Sequence, residues 1–222
     1  MTYQHQFSDG TPIDLPLGKV VCVGRNYAEH ARELNNPVPS EPLLFIKPAT
    51  SVVPLANGFR LPTGRGAVHY ETEIALLIGT PLSGTISPAD AAGAIAGVGL
   101  ALDLTLRELQ DQLKAKGHPW ERAKAFDAAC PLSPFVRLEQ APALNAIPLQ
   151  LTINGELRQQ GNSADMITPI IALLQHIAGV FTLLPGDVVI TGTPAGVGVL
   201  NAGDELELAI PGALQQATRV IG

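Results

Sequence analysis

Three carboxylates stand in apolar surroundings that give them no structural role. Glu71 and Glu73 open the run E-T-E-I-A-L-L-I, and Asp103 ends the apolar run V-G-L-A-L-D. Residues two apart in an extended strand share a face, so both glutamates point the same way as the apolar Ala75 and Leu77. Buried ionised carboxylates need cations or a metal ion as partners. Ligation by carboxylate oxygens alone favours Mg²⁺, Mn²⁺ or Ca²⁺ over Zn²⁺.

Two simpler interpretations of these acids stay open. Glu71 and Glu73 are also what a strand entering from solvent would carry before its buried part begins. Asp103 is also suited to a helix N-terminus, because the following T-L-R-E segment from Thr105 to Glu108 matches a capping box. The helix role and the metal role of Asp103 are compatible with each other.

Composition limits the class of protein. The 222 residues suit one sizeable domain, and 46% hydrophobic against 15% charged residues leaves room for a buried oligomer interface. We therefore expect a homodimer. A net charge of −6 and a pI near 5.3 exclude nucleic acid and anionic membranes as partners, because both require a basic surface.

The cysteines and the N-terminus indicate the compartment. Cys22 and Cys130 lie in apolar segments and read as reduced, packed thiols. The first ten residues lack the basic and apolar regions of a signal peptide. No apolar stretch reaches the ~18 residues that a membrane helix requires. We expect a cytoplasmic protein.

Proline and glycine are spread along the chain between short β-rich segments, which predicts a mainly β fold with a few helices. Residues 149–160 predict a hairpin with Asn154-Gly155 at its tip. The Pro-rich segment 35–42 has no regular pattern, so we expect residues from about 25 to 40 to form a mobile lid. The other predicted strands are 19–24, 186–192 and 203–210, and the predicted helices are 25–34 with Asn26 as cap, 105–116 and 166–177.

Further groups could take part in chemistry. His30 and Glu33 are three apart, so on a helix they can form a hydrogen-bonded dyad, although an exposed helix-surface pair has the same spacing. Lys124 is either a surface lysine or a cation near substrate oxygens. The glycine-rich loop 191–198 has no following helix and no Walker lysine, which excludes a phosphate loop. Its amides and the Thr193 hydroxyl could still bind a carboxylate.

Six segments in order resemble the fumarylacetoacetate hydrolase family, in particular its short bacterial members that contain only the catalytic domain. The resemblance spans roughly residues 19 to 210. The segments are G24-R-N-Y-A-E-H30-x-x-E33, H69-Y-E-T-E73, L102-D-L-T-L-R-E-L-Q110, A123-K-A-F-D127 with C130-P-L, G161-N-S-A-D-M166 and T191-G-T-P-A-G-V-G198. One departure is Ala125, where many relatives have glycine after the lysine.

The resemblance implies a fold, a set of roles and a quaternary state. The fold is α+β, mainly β, a mixed β-sandwich roll of the family's C-terminal domain type, usually dimeric. Residues 1–222 would form a single catalytic domain, with an N-terminal extension at 1–18. The implied site residues are Glu71, Glu73 and Asp103 as metal ligands, His30, Glu33 and Lys124 as catalytic groups, and Arg25, Arg107, Gln110 and Thr193 as substrate-binding groups.

The implied activity is Mg²⁺-dependent hydrolysis of a carbon–carbon bond in a 2,4-dioxo acid, an acylpyruvate such as acetylpyruvate or fumarylpyruvate. His30, oriented by Glu33, would activate the attacking water. The alternative is an oxaloacetate decarboxylase, keto–enol tautomerase or isomerase of unsaturated dioxo acids, which would use the same metal site without an attacking water. A third class is a non-catalytic metal-binding scaffold.

Overall fold

The structure is a computed structural model that describes residues 3–34 and 36–222. In those residues the strands are β1 (Val20–Gly24), β2 (Leu43–Lys47), β3 (Val52–Pro54), β4 (Phe59–Arg60), β5 (Val68–Tyr70), β6 (Thr72–Ile78), β7 (Ile95–Leu102), β8 (Thr105–Leu106), β9 (Cys130–Leu132), β10 (Val136–Arg137), β11 (Pro148–Ile153), β12 (Glu156–Asn162), β13 (Val188–Ile190), β14 (Gly198–Val199), β15 (Glu205–Ile210) and β16 (Leu214–Ile221). The α-helices are α1 (Ala28–Glu33), α2 (Pro88–Gly93), α3 (Arg107–Ala115), α4 (Glu121–Lys124) and α5 (Ile170–Val180). Short 3₁₀ turns occupy Ala49–Ser51, Leu55–Asn57, Leu138–Gln140 and Ser163–Asp165.

The strands form three sheets in the described chain. The largest has the order β2-β1-β13-β6-β7-β9-β3, with β10 paired to β7. A second sheet has the order β12-β11-β15-β16-β4, and a small third sheet joins β14, β5 and β8. Most pairs are antiparallel, but β1–β13, β3–β9 and β4–β16 are parallel. The predicted α+β, mainly β mixed roll is confirmed.

The two faces of β6 border two separate cores. Ile74 and Leu76 point into the main core, which β11 and β15 of the second sheet also line. Ala75 and Leu77 point to the other face, into a smaller core shared with Cys22 and other residues of the first sheet. Because Glu71 and Glu73 have the same parity as Ala75 and Leu77, their side chains lie at the end of the smaller core.

The N-terminal segment covers this smaller core. Ile13 is buried in it, and Phe7 packs against it beside a backbone bridge to Phe135. The His5 ring is fully buried and its Nε2 lies 3.0 Å from the Gly186 carbonyl oxygen. Residues 3–18 of the predicted extension are therefore part of the packed fold, while Met1 and Thr2 lie outside the described residues.

The first predicted helix is shorter than expected. Helix α1 covers only residues 28–33, because Arg25 has a left-handed φ of 59° and Tyr27 is extended. The prediction of Asn26 as the cap is wrong. Its amide instead donates to the carbonyl oxygens of Thr168 and Thr191 and accepts from the Thr168 N–H. Asn35 of the predicted lid lies outside the described residues, and residues 36–42 form no helix or strand.

Two further predicted helix boundaries are wrong, and so is one cap. Thr105 begins strand β8, so α3 starts at Arg107 without a side-chain cap. The Thr105 hydroxyl donates to the Asp103 carbonyl oxygen instead of capping α3, and β8 separates Asp103 from the helix, so the predicted capping box and the helix role of Asp103 are both wrong. Helix α5 starts at Ile170 instead of residue 166, after Pro169. Proline cannot donate its nitrogen to a helix and restricts the residue before it, which explains the later start.

The predicted hairpin is confirmed. Strands β11 and β12 pair antiparallel and are joined by Asn154 and Gly155, both with positive φ, at 52° and 81°. A two-residue turn with this geometry matches the right-handed twist of its strands. The predicted strands 186–192 and 203–210 are shorter in the structure, as β13 and β15.

The remaining expectations concern cysteines and membranes. Cys22 and Cys130 are free and buried, as predicted, and burial raises the pKa of the Cys130 thiol to about 12. Within the described residues, no helix combines the length and the apolar character needed to cross a bilayer.

Candidate active site

The three predicted metal ligands converge at one end of the β6–β7 ladder. Glu73 pairs with Ala101 in this ladder, so Glu71 and Asp103 lie just beyond its last pair, Thr72 and Leu102. One carboxylate oxygen from each acid lies within 4.8 Å of those of the other two. Glu71 is 4% exposed and the other two acids are 1% exposed. The alternative of surface glutamates at a strand start is therefore wrong.

Cationic side chains surround two of these carboxylates. Lys124 Nζ lies 2.8 Å from Glu71 Oε2 and 2.7 Å from Asp103 Oδ2. Arg107 Nη2 pairs with Glu71 Oε1, while its Nη1 donates to Gln110 Oε1 at 2.7 Å. Helix α4 ends at Lys124, which is 3% exposed, so the alternative of a surface lysine is wrong.

Glu73 has a different environment. Its Oε2 accepts the Gly192 N–H at 2.6 Å, and no ion pair to it occurs among the described residues. Burial, followed by repulsion from Asp103 and Glu71, raises the pKa of Glu73 well above its usual value. A bound proton or a bound cation would therefore stabilise this carboxyl.

Glu71 shows the opposite behaviour. Burial alone would raise its pKa, but the charges of Lys124 and Arg107 outweigh burial and hold the pKa well below its usual value. Burial likewise acts to lower the pKa of Lys124, whereas Asp103 and Glu71 raise it overall. Glu71 and Lys124 are thus held as an ionised pair.

The donor set fits a hard divalent cation. All three candidate ligands are carboxylates, the donors that Mg²⁺ and Mn²⁺ prefer. Glu73 lacks a cationic partner in the described chain. Asp103 Oδ1 is buried and lies 2.9 Å from Lys47 Nζ, but it accepts no hydrogen bond in the described chain. A cation would satisfy both groups.

The His30–Glu33 dyad is formed and faces this site. His30 is 5% exposed, and its Nδ1 lies 3.3 Å from Glu33 Oε2. The other Glu33 oxygen accepts the Gly196 N–H at 3.0 Å. An ionised carboxylate can only accept, so in a neutral imidazole this contact assigns the proton to Nδ1 and leaves Nε2 as an acceptor. The alternative of an exposed helix-surface histidine is wrong.

A narrow cavity brings the predicted site residues together. Its lining includes eight of the ten, namely Arg25, His30, Glu71, Glu73, Arg107, Gln110, Lys124 and Thr193. Asp103 reaches it through its contact with Lys124, and Glu33 through His30. A larger groove of about 700 Å³ crosses β15 and β16, but it lies away from the carboxylates, so the narrow cavity is the candidate active site.

The Thr193 hydroxyl is already used inside the protein. It donates to the Thr72 carbonyl oxygen at 2.8 Å and accepts from Gln159 Nε2 at 2.8 Å. Gln159 also accepts the Thr72 N–H and donates to the Pro194 carbonyl oxygen, so it ties the 191–196 loop to β6. Thr193 therefore lines the cavity without a spare hydroxyl proton.

Sequence reasoning missed several residues that build the site. Lys47 is fully buried and lies 2.9 Å from Asp103 Oδ1. Phe45, two residues before it on β2, lies under the Lys124 ammonium group at 5.1 Å. A lysine that ends the otherwise apolar run L-L-F-I-K is the signal that could have identified Lys47. No local pattern marks Gln159, and none indicates the actual contacts of Asn26, because the partners of both residues are distant in sequence.

Comparisons with known proteins agree with this geometry. The chain is 49% identical over 211 residues to oxaloacetate tautomerase YcgM of Escherichia coli (strain K12), covering 95% of this chain and 96% of that protein. It is 42% identical over 201 residues to the mitochondrial oxaloacetate tautomerase FAHD1 of Bos taurus, covering 90% of each. The crystal structure of fumarylpyruvate hydrolase from Pseudomonas aeruginosa in complex with Mn²⁺ and pyruvate superimposes with a TM-score of 0.91 at 34% identity, covering 99% of this chain and 96% of that one.

A family model agrees with these relatives. The model described as fumarylacetoacetate (FAA) hydrolase C-terminal matches residues 19–221, which include all the strands and helices described above and all ten predicted site residues. With its carboxylate cluster, its dyad and its fold in place, the chain belongs to the fumarylacetoacetate hydrolase family.

Proposed function

We propose that this protein is a divalent-cation-dependent enzyme that interconverts the keto and enol forms of oxaloacetate. The observation that carries the proposal is the narrow cavity in which three buried carboxylates meet the cationic side chains of Arg25, Arg107 and Lys124. With a divalent cation bound to the carboxylates, the three cationic side chains would give this cavity the positive charge that a small dianionic 2-oxo acid requires. The two tautomerase relatives support the same substrate, and their being enzymes favours catalysis over a non-catalytic scaffold.

Glu71, Glu73 and Asp103 would hold the cation, for which we propose Mg²⁺, with Mn²⁺ or Ca²⁺ as substitutes. A bound divalent cation would supply Lewis acidity, which stabilises negative charge on the 2-oxo oxygen of the substrate. The protein's own contribution is to bind the substrate, orient it and move a proton.

His30 is the group proposed to move this proton. Tautomerisation transfers one proton between C3 and the 2-oxo oxygen, and it breaks no bond between heavy atoms. The free Nε2 of His30 can accept a proton, and Glu33 stabilises the imidazolium that results. Because His30 is only 5% exposed, a proton that it accepts can be returned to the substrate instead of being lost to water.

The cations and the amide would orient the substrate. Lys124 lies between Glu71 and Asp103, so its ammonium group can stabilise an oxygen of a substrate bound there. Arg107 and Gln110, which are hydrogen-bonded to each other, would bind the first carboxylate. Arg25 has no ion-pair partner within the described chain, and we assign it to the second carboxylate of oxaloacetate. Thr193 would contribute the wall of the cavity.

Hydrolysis of an acylpyruvate is the second candidate, because the His30–Glu33 dyad is also suited to activating water. In that reaction hydroxide would attack the C4 carbonyl carbon, the C3–C4 bond would break, and pyruvate and a carboxylic acid would leave. The similarity to fumarylpyruvate hydrolase supports this candidate. The higher identity of the tautomerases favours tautomerisation.

Three features of the protein belong to the same proposal. We infer one catalytic domain over residues 1–222, a homodimer, and a lid that includes α1 and closes over the cavity. The contact of Glu33 with the Gly196 N–H supports a closed position of this lid. The shared core that runs from Val21 to Val220 supports a single domain.

The test is a rate comparison with the Mg²⁺-loaded protein. Enol-oxaloacetate decay, followed by ultraviolet absorbance, is compared with pyruvate release from acetylpyruvate and fumarylpyruvate. We expect tautomerisation to be the fastest reaction after subtraction of the rate due to free Mg²⁺. Faster cleavage of either acylpyruvate would replace the tautomerase assignment by a hydrolase.

A further inference from the structure

Lys47 is a fully buried lysine beside the candidate cation site, and its role is not accounted for by the chemistry above. It ends strand β2, and its side chain is 0% exposed. Its Nζ lies 2.9 Å from Asp103 Oδ1, donates to the carbonyl oxygen of Lys124, and lies 3.4 Å from that of Leu104. Every one of these partners is a candidate ligand, its chain neighbour or the candidate catalytic lysine.

These contacts connect the two segments that supply Asp103 and Lys124. The Asp103 segment follows β7, whereas Lys124 ends α4, and about twenty residues separate them along the chain. Lys47 reaches both through backbone carbonyl oxygens. Phe45 on the same face of β2 lies under the Lys124 ammonium group. Two side chains of β2, Phe45 and Lys47, therefore together contact both Lys124 and the Asp103 segment.

The charges around the site also require Lys47. Glu71, Glu73 and Asp103 are all buried, and the cations that contact them in the described chain are Lys47, Lys124 and Arg107. Removing one partner of a buried ion pair leaves an uncompensated charge, which destabilises the fold strongly. Lys124 and Arg107 both form ion pairs with Glu71. Lys47 pairs with Asp103 and does not contact Glu71.

We propose that Lys47 is a positioning residue: it neutralises Asp103 and aligns Asp103 with Lys124, so that the site is formed before a cation binds. The proposal rests on the divalent-cation site of the proposed function, but not on which 2-oxo acid reacts. A preorganised site avoids the free-energy cost of ordering its ligands when the cation arrives. Lys47 would thus make folding of this chain independent of the metal.

The test compares thermal unfolding of Lys47→Met with and without Mn²⁺. Methionine has a similar length but no charge. In EDTA we expect the variant to lose about 6–20 °C in Tm, the shift that corresponds to breaking a buried pair in a chain of this size. Mn²⁺ supplies the missing positive charge, so it should raise the Tm of the variant several degrees more than that of the wild type.

Lys19→Met is the matched control. Lys19 also pairs with a buried aspartate, Asp187, and also donates to a backbone carbonyl oxygen, that of Thr182, but it lies away from the cavity. Its loss should lower Tm equally in EDTA and in Mn²⁺. The double variant Lys47→Met/Asp103→Asn removes the uncompensated charge, so it should recover part of the Tm lost in EDTA. It should also lose the response to Mn²⁺.

The outcomes separate this proposal from the proposed function. If Mn²⁺ raises the Tm of Lys47→Met and of the wild type by the same amount, Lys47 is a packing residue only. If Lys47→Met does not fold in EDTA but folds when Mn²⁺ is added, the proposal is supported. If neither Lys47→Met nor the double variant folds in EDTA or in Mn²⁺, the proposal is overturned. A wild type that binds no Mn²⁺ by calorimetry would contradict the cation site itself.

Discussion

The Asp103 N–H donates to the Glu71 carbonyl oxygen at 2.8 Å, which extends the β6–β7 ladder by one pair beyond Thr72 and Leu102. Two candidate ligands from different strands are thus positioned by their backbones. Their side chains point to the same face because both continue the parity of the small core. The site is therefore a rigid part of the sheet, and a side-chain change at Asp103 leaves this backbone contact intact.

The first prediction is that Asp103→Asn abolishes cation binding and also lowers the Tm, because it leaves the buried Lys47 without its carboxylate partner. The amide keeps the size of the carboxylate but loses the charge that a hard cation requires. We expect loss of the heat of Mg²⁺ or Mn²⁺ binding in calorimetry, together with loss of turnover. EDTA treatment of the wild type should remove turnover reversibly. Full turnover in EDTA would contradict a cation-dependent site.

The second prediction concerns His30→Ala. Loss of a general base typically lowers a rate by about 10²–10⁴-fold, and here it should lower both tautomerisation and any acylpyruvate cleavage. Cation binding should be retained, because His30 is not one of the three clustered acids. Turnover and Mn²⁺ calorimetry measure the two properties separately. Unchanged tautomerisation with reduced cleavage would assign His30 to water activation alone.

The third prediction concerns the second carboxylate of the substrate. Arg25→Gln removes the charge while retaining a non-glycine residue at a φ of 59°. A lost charged hydrogen bond should raise KM for oxaloacetate by about 10- to 100-fold, with a smaller effect on acetylpyruvate, which lacks that carboxylate. Arg32→Gln on the exposed side of α1 is the control for loss of charge. An equal rise in KM for both substrates would show that Arg25 does not bind the second carboxylate of oxaloacetate.

The fourth prediction concerns the lid. Gly196 has a φ of 99°, and a Cβ there would lie 2.1 Å from the Arg158 carbonyl oxygen, so Gly196→Ala must displace the loop that holds Glu33. We expect faster hydrogen exchange in α1 and a lower kcat. Gly203→Ala is matched in φ, at 91°, but a Cβ there meets nothing within 4 Å. Equal exchange of α1 in the two variants would show that this loop does not hold the lid.

The fifth prediction is a pH dependence of stability from His5. Burial lowers its pKa below the usual value, against the opposing hydrogen bond to Gly186. The unfolded chain therefore binds this proton more readily, so stability present above about pH 6.5 decreases as the pH falls toward the folded pKa. His5→Leu should flatten this decrease in Tm between about pH 7 and about pH 5. The Gly186 oxygen stays satisfied, because the Gly18 N–H also donates to it.

The sequence by itself determined the acids of the site. The period of two in a strand placed Glu71 and Glu73 on one face with Ala75 and Leu77, and burial of that face implied a cation. The hairpin at Asn154-Gly155 was predictable for a similar reason, since a two-residue turn with positive φ is a local property. Helical spacing allowed the dyad but fitted an exposed pair equally, and the family resemblance was what favoured the dyad.

Tertiary structure decided the groups whose partners are distant in sequence. Asn26 looked like a helix cap, but Thr168 and Thr191 from other segments satisfy its amide, and α1 starts later as a result. Lys47 lies 56 positions before Asp103 in sequence and carries no local signal of their 2.9 Å contact. Local propensity fixes which residues share a face, whereas only the packing of the sheets decides which buried charges meet.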